Sequence, residues 1–149
     1  MSQVYVGYGQ FGIEGVDEEF ICFIFDVTLG LTTQNNNSEG GVILATDDQM
    51  RDMNKRYRGK DVTTNVLSFC NSEIPELSGN EADANYLGDI YISYPVLIAE
   101  AKKLGISHKD RFTQLLVHGF LHLLGFDHEN NADAKKMEDL EDQITQMVI

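Results

Sequence analysis

Gln3–Gly7 alternates weakly between apolar and polar positions and predicts an edge strand. Across Asp17–Leu31 the apolar residues recur at helical spacing. Thr32–Gly41 (TTQNNNSEGG) has turn chemistry throughout and predicts a polar loop. Val42–Ala45 is a short apolar run ending in Thr46-Asp47-Asp48, a helix-start signal. Asp47–Tyr57 then reads as a helix whose cations lie toward its C-terminal end, where the helix dipole favours them. Asn65–Phe69 is strand-like. Asn71–Tyr86, rich in Gly, Asn, Glu and Ser, predicts a long exposed loop, and Leu87–Ser93 alternates as a strand.

The rest of the chain is helical. Tyr94–Leu104 ends at Gly105, and Ser107 caps a helix running to about Leu124. In that helix Phe112, Leu115, Leu116, Val117, Phe120, Leu121, Leu123 and Leu124 wrap most of the circumference, so it is expected to be central and buried. Asn131–Val148 is amphipathic, with Met137, Leu140, Ile144 and Met147 at helical spacing. Strands and helices come first and helices alone afterwards. This order predicts an α+β fold: one domain over residues 1–149, with a small mixed β-sheet packed with helices and a central buried helix carrying a His pair. That length is enough for a real core.

The central helix also carries chemistry. Three of the four histidines fall within eleven residues, His118-Gly119-Phe120-Leu121-His122-Leu123-Leu124-Gly125-Phe126-Asp127-His128, or H-x-x-x-H-x-x-G-x-x-H. His118 and His122 are one turn apart and share a face. Gly125 allows the left-handed turn that ends a helix, which can bring His128 back to the same point. Three imidazoles leave a fourth tetrahedral position for water, the layout of a catalytic zinc site. Zinc is therefore expected as one ion with three His ligands plus water. Nickel, copper and iron are alternatives, since affinity alone does not select. Asp127 is either a residue that orients a ligand imidazole or a turn residue. The position after the first His is Gly119, where the zinc-protease motif H-E-x-x-H has its general base. A zinc metallopeptidase is accordingly the least favoured reading.

Net charge −13 argues against indiscriminate nucleic-acid binding. Its distribution tells more. Five of the eleven basic residues, Arg51, Lys55, Arg56, Arg58 and Lys60, lie in one decapeptide. That stretch is either a solvated helix face or an RNA-facing patch. Cys22 and Cys70 form no disulfide framework, and no membrane span or cleavage pattern is visible, so a reduced cytoplasmic setting without a membrane is expected.

His118–His128 resembles the H-G-x-L-H-L-x-G-x-D-H signature of the YbeY family, the bacterial rRNA-maturation endoribonucleases. Two further blocks are similar in order and spacing: Tyr57-Arg58-Gly59-Lys60-Asp61 with Thr64-Asn65-Val66-Leu67-Ser68-Phe69, and Leu87-Gly88-Asp89-Ile90. The resemblance implies a zinc ion on His118, His122 and His128, with Arg58, His118 and His122 as catalytic residues. It implies a zinc-dependent endoribonuclease specific for single strands, acting in small-subunit rRNA 3′ end maturation and ribosome quality control. Its partners would be precursor rRNA and the ribosome or a ribosomal protein, with Arg51, Lys55, Arg56 and Lys60 contacting RNA. Oligomeric state is not implied. The chain departs from the family pattern at Val62-Thr63 and at Cys70. A metal-stabilised ribosome-assembly factor with little catalysis of its own is the alternative.

Overall fold

The computed structural model describes residues 3–32, 38–71, 73, 85–127 and 129–149. Among them the elements run β1 (Gln3–Gly7), α1 (Glu18–Thr32), β2 (Glu39–Ala45), α2 (Asp47–Arg58), β3 (Val66–Cys70), β4 (Tyr86–Ser93), α3 (Tyr94–Leu104), α4 (His108–Leu123) and α5 (Asn131–Val148). The sheet order is β1-β2-β4-β3, so β1 is an edge strand as its pattern predicts. β1 and β4 both pair with β2 in parallel, and β3 pairs with β4 antiparallel. The fold is α+β with a mixed sheet.

Alternation within the strands divides the core. Val4, Val42, Leu44, Ile90 and Ile92 join residues of α1, α4 and α5 in the main cluster. Ala45, Leu67 and Phe69 join Met50 of α2 in a smaller one. α4 lies in the main cluster with Leu116, Val117, Phe120 and Leu121 at 0% exposure, so the wide apolar wrap does mark the central helix. The ends are capped as the sequence suggests. Thr46 and Gln49 form a reciprocal capping box at α2, and Ser107 accepts from the Asp110 amide at α4.

Two boundaries differ from expectation, for one shared reason. Glu39, Gly40 and Gly41 belong to β2 rather than to the loop, and Tyr86 opens β4 rather than closing the Asn71–Tyr86 loop. Residues 72 and 74–84 of that loop lie outside the described residues. The glycines look like turn residues but serve close packing. A Cβ at Gly40 would stand 2.8 Å from the Phe25 ring, and one at Gly41 would stand 2.3 Å from Asp89 Oδ1 and 2.9 Å from the Tyr86 hydroxyl. Tyr86 donates to Asp89, and both are buried. Burial raises the Asp89 carboxyl above its ordinary value, and burial together with Asp89 raises the Tyr86 phenol.

Candidate functional site

α4 presents His118 and His122 on one strip. Their rings meet edge to face at 79°, with the two Nε2 atoms 3.2 Å apart. Two nitrogens bound to one tetrahedral zinc ion at its usual bond length stand about 3.3 Å apart. The pair therefore has the spacing of two ligands on one ion. On the other side of its ring, His118 Nδ1 lies 2.6 Å from Glu141 Oε1, a carboxylate of α5. A carboxylate accepts the Nδ1 proton and leaves Nε2 bare, the form in which imidazole binds a metal. The His122 Nε2 faces this bare nitrogen across the 3.2 Å gap.

The surroundings differ from what the apolar wrap of α4 implies. The His118 and Glu141 side chains are 32% and 28% exposed. α4 buries its other sides, and His118 opens on a cleft of about 660 Å³ between the start of β3, α4 and α5. The helix ends as predicted. Gly125 has φ +96°, its N–H donates to His122 O, and the Phe126 N–H donates to Leu121 O. Asp127 is half-buried beyond that turn, while the carboxylate on His118 is Glu141. His128 lies outside the described residues. Among those residues no group of three His, Cys, Asp or Glu is arranged to hold an ion.

Gly119 has a packing reason. A Cβ there would stand 2.9 Å from both Ile90 Cγ2 and Ser68 Oγ, and 3.2 Å from Val66 Cγ2. α4 rests on the sheet at this point, and Ser68 Oγ donates to the Gly119 carbonyl at 3.0 Å. The carboxylate of the zinc-protease motif has no room here.

Arg58 closes α2. Its guanidinium lies 4.6 Å over the Phe69 ring, with Nη1 donating to Glu73 Oε2 and Nη2 to Ser68 O, both at 2.9 Å. Two hydrogen bonds through Ser68 thus join Arg58 to the residue beside His118. Burial would raise the Glu73 carboxyl, but the Cys70 amide and Arg58 outweigh it and hold the group below its ordinary value. Three other cations of the decapeptide also meet acids. Arg51 and Lys55 reach Asp61 at 2.7 and 4.0 Å, and Arg56 reaches Asp52 at 3.4 Å. The hydrogen bond from Arg51 holds Asp61 below the usual carboxylate range. Lys60 is exposed. The stripe is therefore less positive than its sequence suggests. Of the departures from the family pattern, Val62 is 57% exposed, Thr63 donates to Asp47, and burial raises the Cys70 thiol.

Local sequence pattern does not single out Glu141 or Glu73, since His118 and Arg58 meet them only through the fold. Ser68 lies in the Thr64–Phe69 block, and only the fold shows it linking Arg58 to Gly119.

The chain is similar to known proteins. An "Endoribonuclease YbeY" of Sulfurihydrogenibium sp. is 41% identical over 125 residues, covering 82% of this chain and 79% of that protein. One of Chelativorans sp. is 46% identical over 105 residues, covering 70% of this chain and 63% of its relative. The solution structure of TM1509 from Thermotoga maritima shares the fold, with a TM-score of 0.61 over 99% of this chain and 89% of that one, at 22% identity. The family model "Endoribonuclease YbeY" matches residues 16–148, a span that takes in the histidine strip, Arg58 and Glu141 together, and the chain belongs to the YbeY endoribonuclease family.

Proposed function

We propose that this chain is a zinc-dependent endoribonuclease that hydrolyses phosphodiester bonds of single-stranded RNA. Its place would be ribosomal RNA processing in the cytoplasm, at the 3′ end of small-subunit rRNA and in ribosome quality control. Membership of a family of endoribonucleases supports the activity. The observation that carries the metal is the Nε2 pair 3.2 Å apart with a carboxylate behind one ring.

His118 and His122 would hold the ion, with His128 as the third ligand. A zinc ion bound there supplies Lewis acidity toward a phosphate oxygen and lowers the pKa of a bound water. The chain's own groups do the rest. Glu141 accepts the Nδ1 proton of His118 and so keeps Nε2 directed at the ion. His122 would ligate through the Nε2 that faces His118. Arg58 can take a phosphate oxygen pair in the bidentate manner of a guanidinium and stabilise charge that develops on it. To do so it exchanges Glu73 for the phosphate, a modest cost because exposed ion pairs are weak. Gly119 contributes no base, so proton transfer falls to another group of the site or to the substrate.

The test is cleavage of single-stranded RNA by the purified chain with and without a chelator. Chelator-sensitive cleavage that is absent from His122→Ala is expected. Equal residual cleavage by both proteins would reject the enzyme. A second reading, a metal-stabilised ribosome-assembly factor, draws on the net charge of −13 and the ion-paired basic stripe. It expects ribosomal binding that survives in His122→Ala and no chelator-sensitive cleavage.

A further inference from the structure

The cleft that begins at His118 is built unlike a phosphate site. Its one arginine among the described residues, Arg111, is engaged by Glu100, with Nε and Nη2 donating to the same carboxylate oxygen at 3.1 and 3.0 Å. Two further acids line it, Glu141 and Asp142. A polyanionic backbone lowered into this space would meet carboxylates with no unpaired Lys or Arg among the described lining residues to offset them. An uncharged ring would not.

Two amides of the cleft are held in fixed directions. Asn65 Nδ2 donates to both Glu100 oxygens at 3.3 Å. Arg111 Nη1 donates to Gln114 Oε1 at 2.8 Å. Each amide is thereby oriented, and one half of each remains for a ligand: the Asn65 carbonyl oxygen as acceptor and the Gln114 amide N–H groups as donors. Val66, Leu115 and Ile149 supply apolar wall. The rest of the lining is polar, Thr145 and Gln146 included, and a volume of about 660 Å³ falls in the range of small-molecule sites.

We propose that this cleft is a nucleobase subsite: it takes one unpaired base of the RNA strand next to the phosphate that lies at the histidines. The proposal rests on the endoribonuclease reading and gives it a reason for single-strand specificity. Only a base splayed out of a helix can enter a cleft and present its hydrogen-bonding edge. Asn65 and Gln114 read that edge as an acceptor and donor pair. Sequence preference next to the cut is set here rather than by the basic stripe of α2.

Two measurements decide it. First, the side-chain amide signals of Asn65 and Gln114 are followed by NMR as the full chain is titrated with adenosine, uridine or ribose 5-phosphate. Shifts with a nucleoside and none with ribose 5-phosphate are expected. No shift with either nucleoside, or equal shifts with the sugar phosphate, overturns the subsite. Second, kcat/KM is measured on single-stranded RNA, intact or abasic at each nucleotide flanking the cut, for the wild type and Gln114→Leu. We expect about a tenfold loss on intact RNA, the worth of one hydrogen bond in a partly dry site, and no further loss on the abasic strand. An equal loss on both strands overturns the role of Gln114. Failure of the wild type to cleave any RNA would reject the endoribonuclease reading, while the nucleoside titration would still decide the cleft.

Discussion

Glu141 is set behind His118 at 2.6 Å, where it would act on the proposed ion without touching it. Glu141→Ala frees the imidazole to rotate and to change tautomer, and zinc affinity should fall about 10–100-fold. Glu141→Gln keeps an acceptor oxygen and should lie between the two. Competition titration with a zinc indicator gives the order, and unaltered affinity in the alanine variant would remove Glu141 from the site. Glu73 acts at the other end of the Ser68 link. It occupies the Arg58 guanidinium in an ion pair of intermediate exposure. Glu73→Gln weakens that competitor, so single-stranded RNA should bind about 2–5-fold more tightly, the range set by an exposed pair. Arg58→Glu should bind more weakly and cleave nothing while its zinc content stays full. Anisotropy at fixed salt and elemental analysis measure both, and RNA affinity blind to either change would separate Arg58 from the substrate.

At the scale of elements, the meeting of α4 with the sheet decides what chemistry the helix can carry. Gly119 lets α4 sit on Ile90, Ser68 and Val66 with no side chain between. Gly119→Ala gains about 1 kcal/mol of helix propensity but overpacks this contact at a cost of about 1–3 kcal/mol. A net loss of about 1 kcal/mol is expected from the urea midpoint, and a more stable variant would show that the contact yields. Much of this geometry is legible in the chain. Period and caps mark α2, α3, α4 and α5 because those signals are local, and the one-turn spacing alone predicts the histidine pair. Two kinds of feature were hidden. Gly40 and Gly41 read as turn residues, yet they serve the bulk of Phe25, Asp89 and Tyr86, which only tertiary packing brings to them. Glu141 sits among Glu138, Asp139 and Asp142 on an amphipathic helix, where nothing local separates it from solvated neighbours. Its meaning lies in the packing of α5 on α4. The half-exposed histidine strip was hidden likewise, since an apolar wrap shows that a helix is buried but not which strip stays open.

For the molecule as a whole, the proposed metal would tie the last helix to the rest. α5 packs on α1 and α4, with Met137, Ile144 and Val148 buried in the main cluster, and Glu141 joins it to His118 on the other side of the contact. An ion on the α4 histidines would therefore be linked to the seating of α5 and so to global stability. Binding to the folded state alone stabilises it by about 4 kcal/mol when free metal is a thousand times Kd. In a domain of this size each kcal/mol moves Tm by about 2–4 °C, so chelation should lower Tm by roughly 8–16 °C. Added zinc should restore it. His122→Ala should start near the chelated value and respond to neither treatment, which separates the histidine site from weak binding on a surface of net charge −13. Amide exchange locates the effect: if α5 is linked to the ion, its protection should fall on chelation more than that of β2, which lies away from the histidines. A protein that carries stoichiometric zinc, yet keeps its Tm and its α5 protection when stripped, would hold the ion at a site uncoupled from the fold.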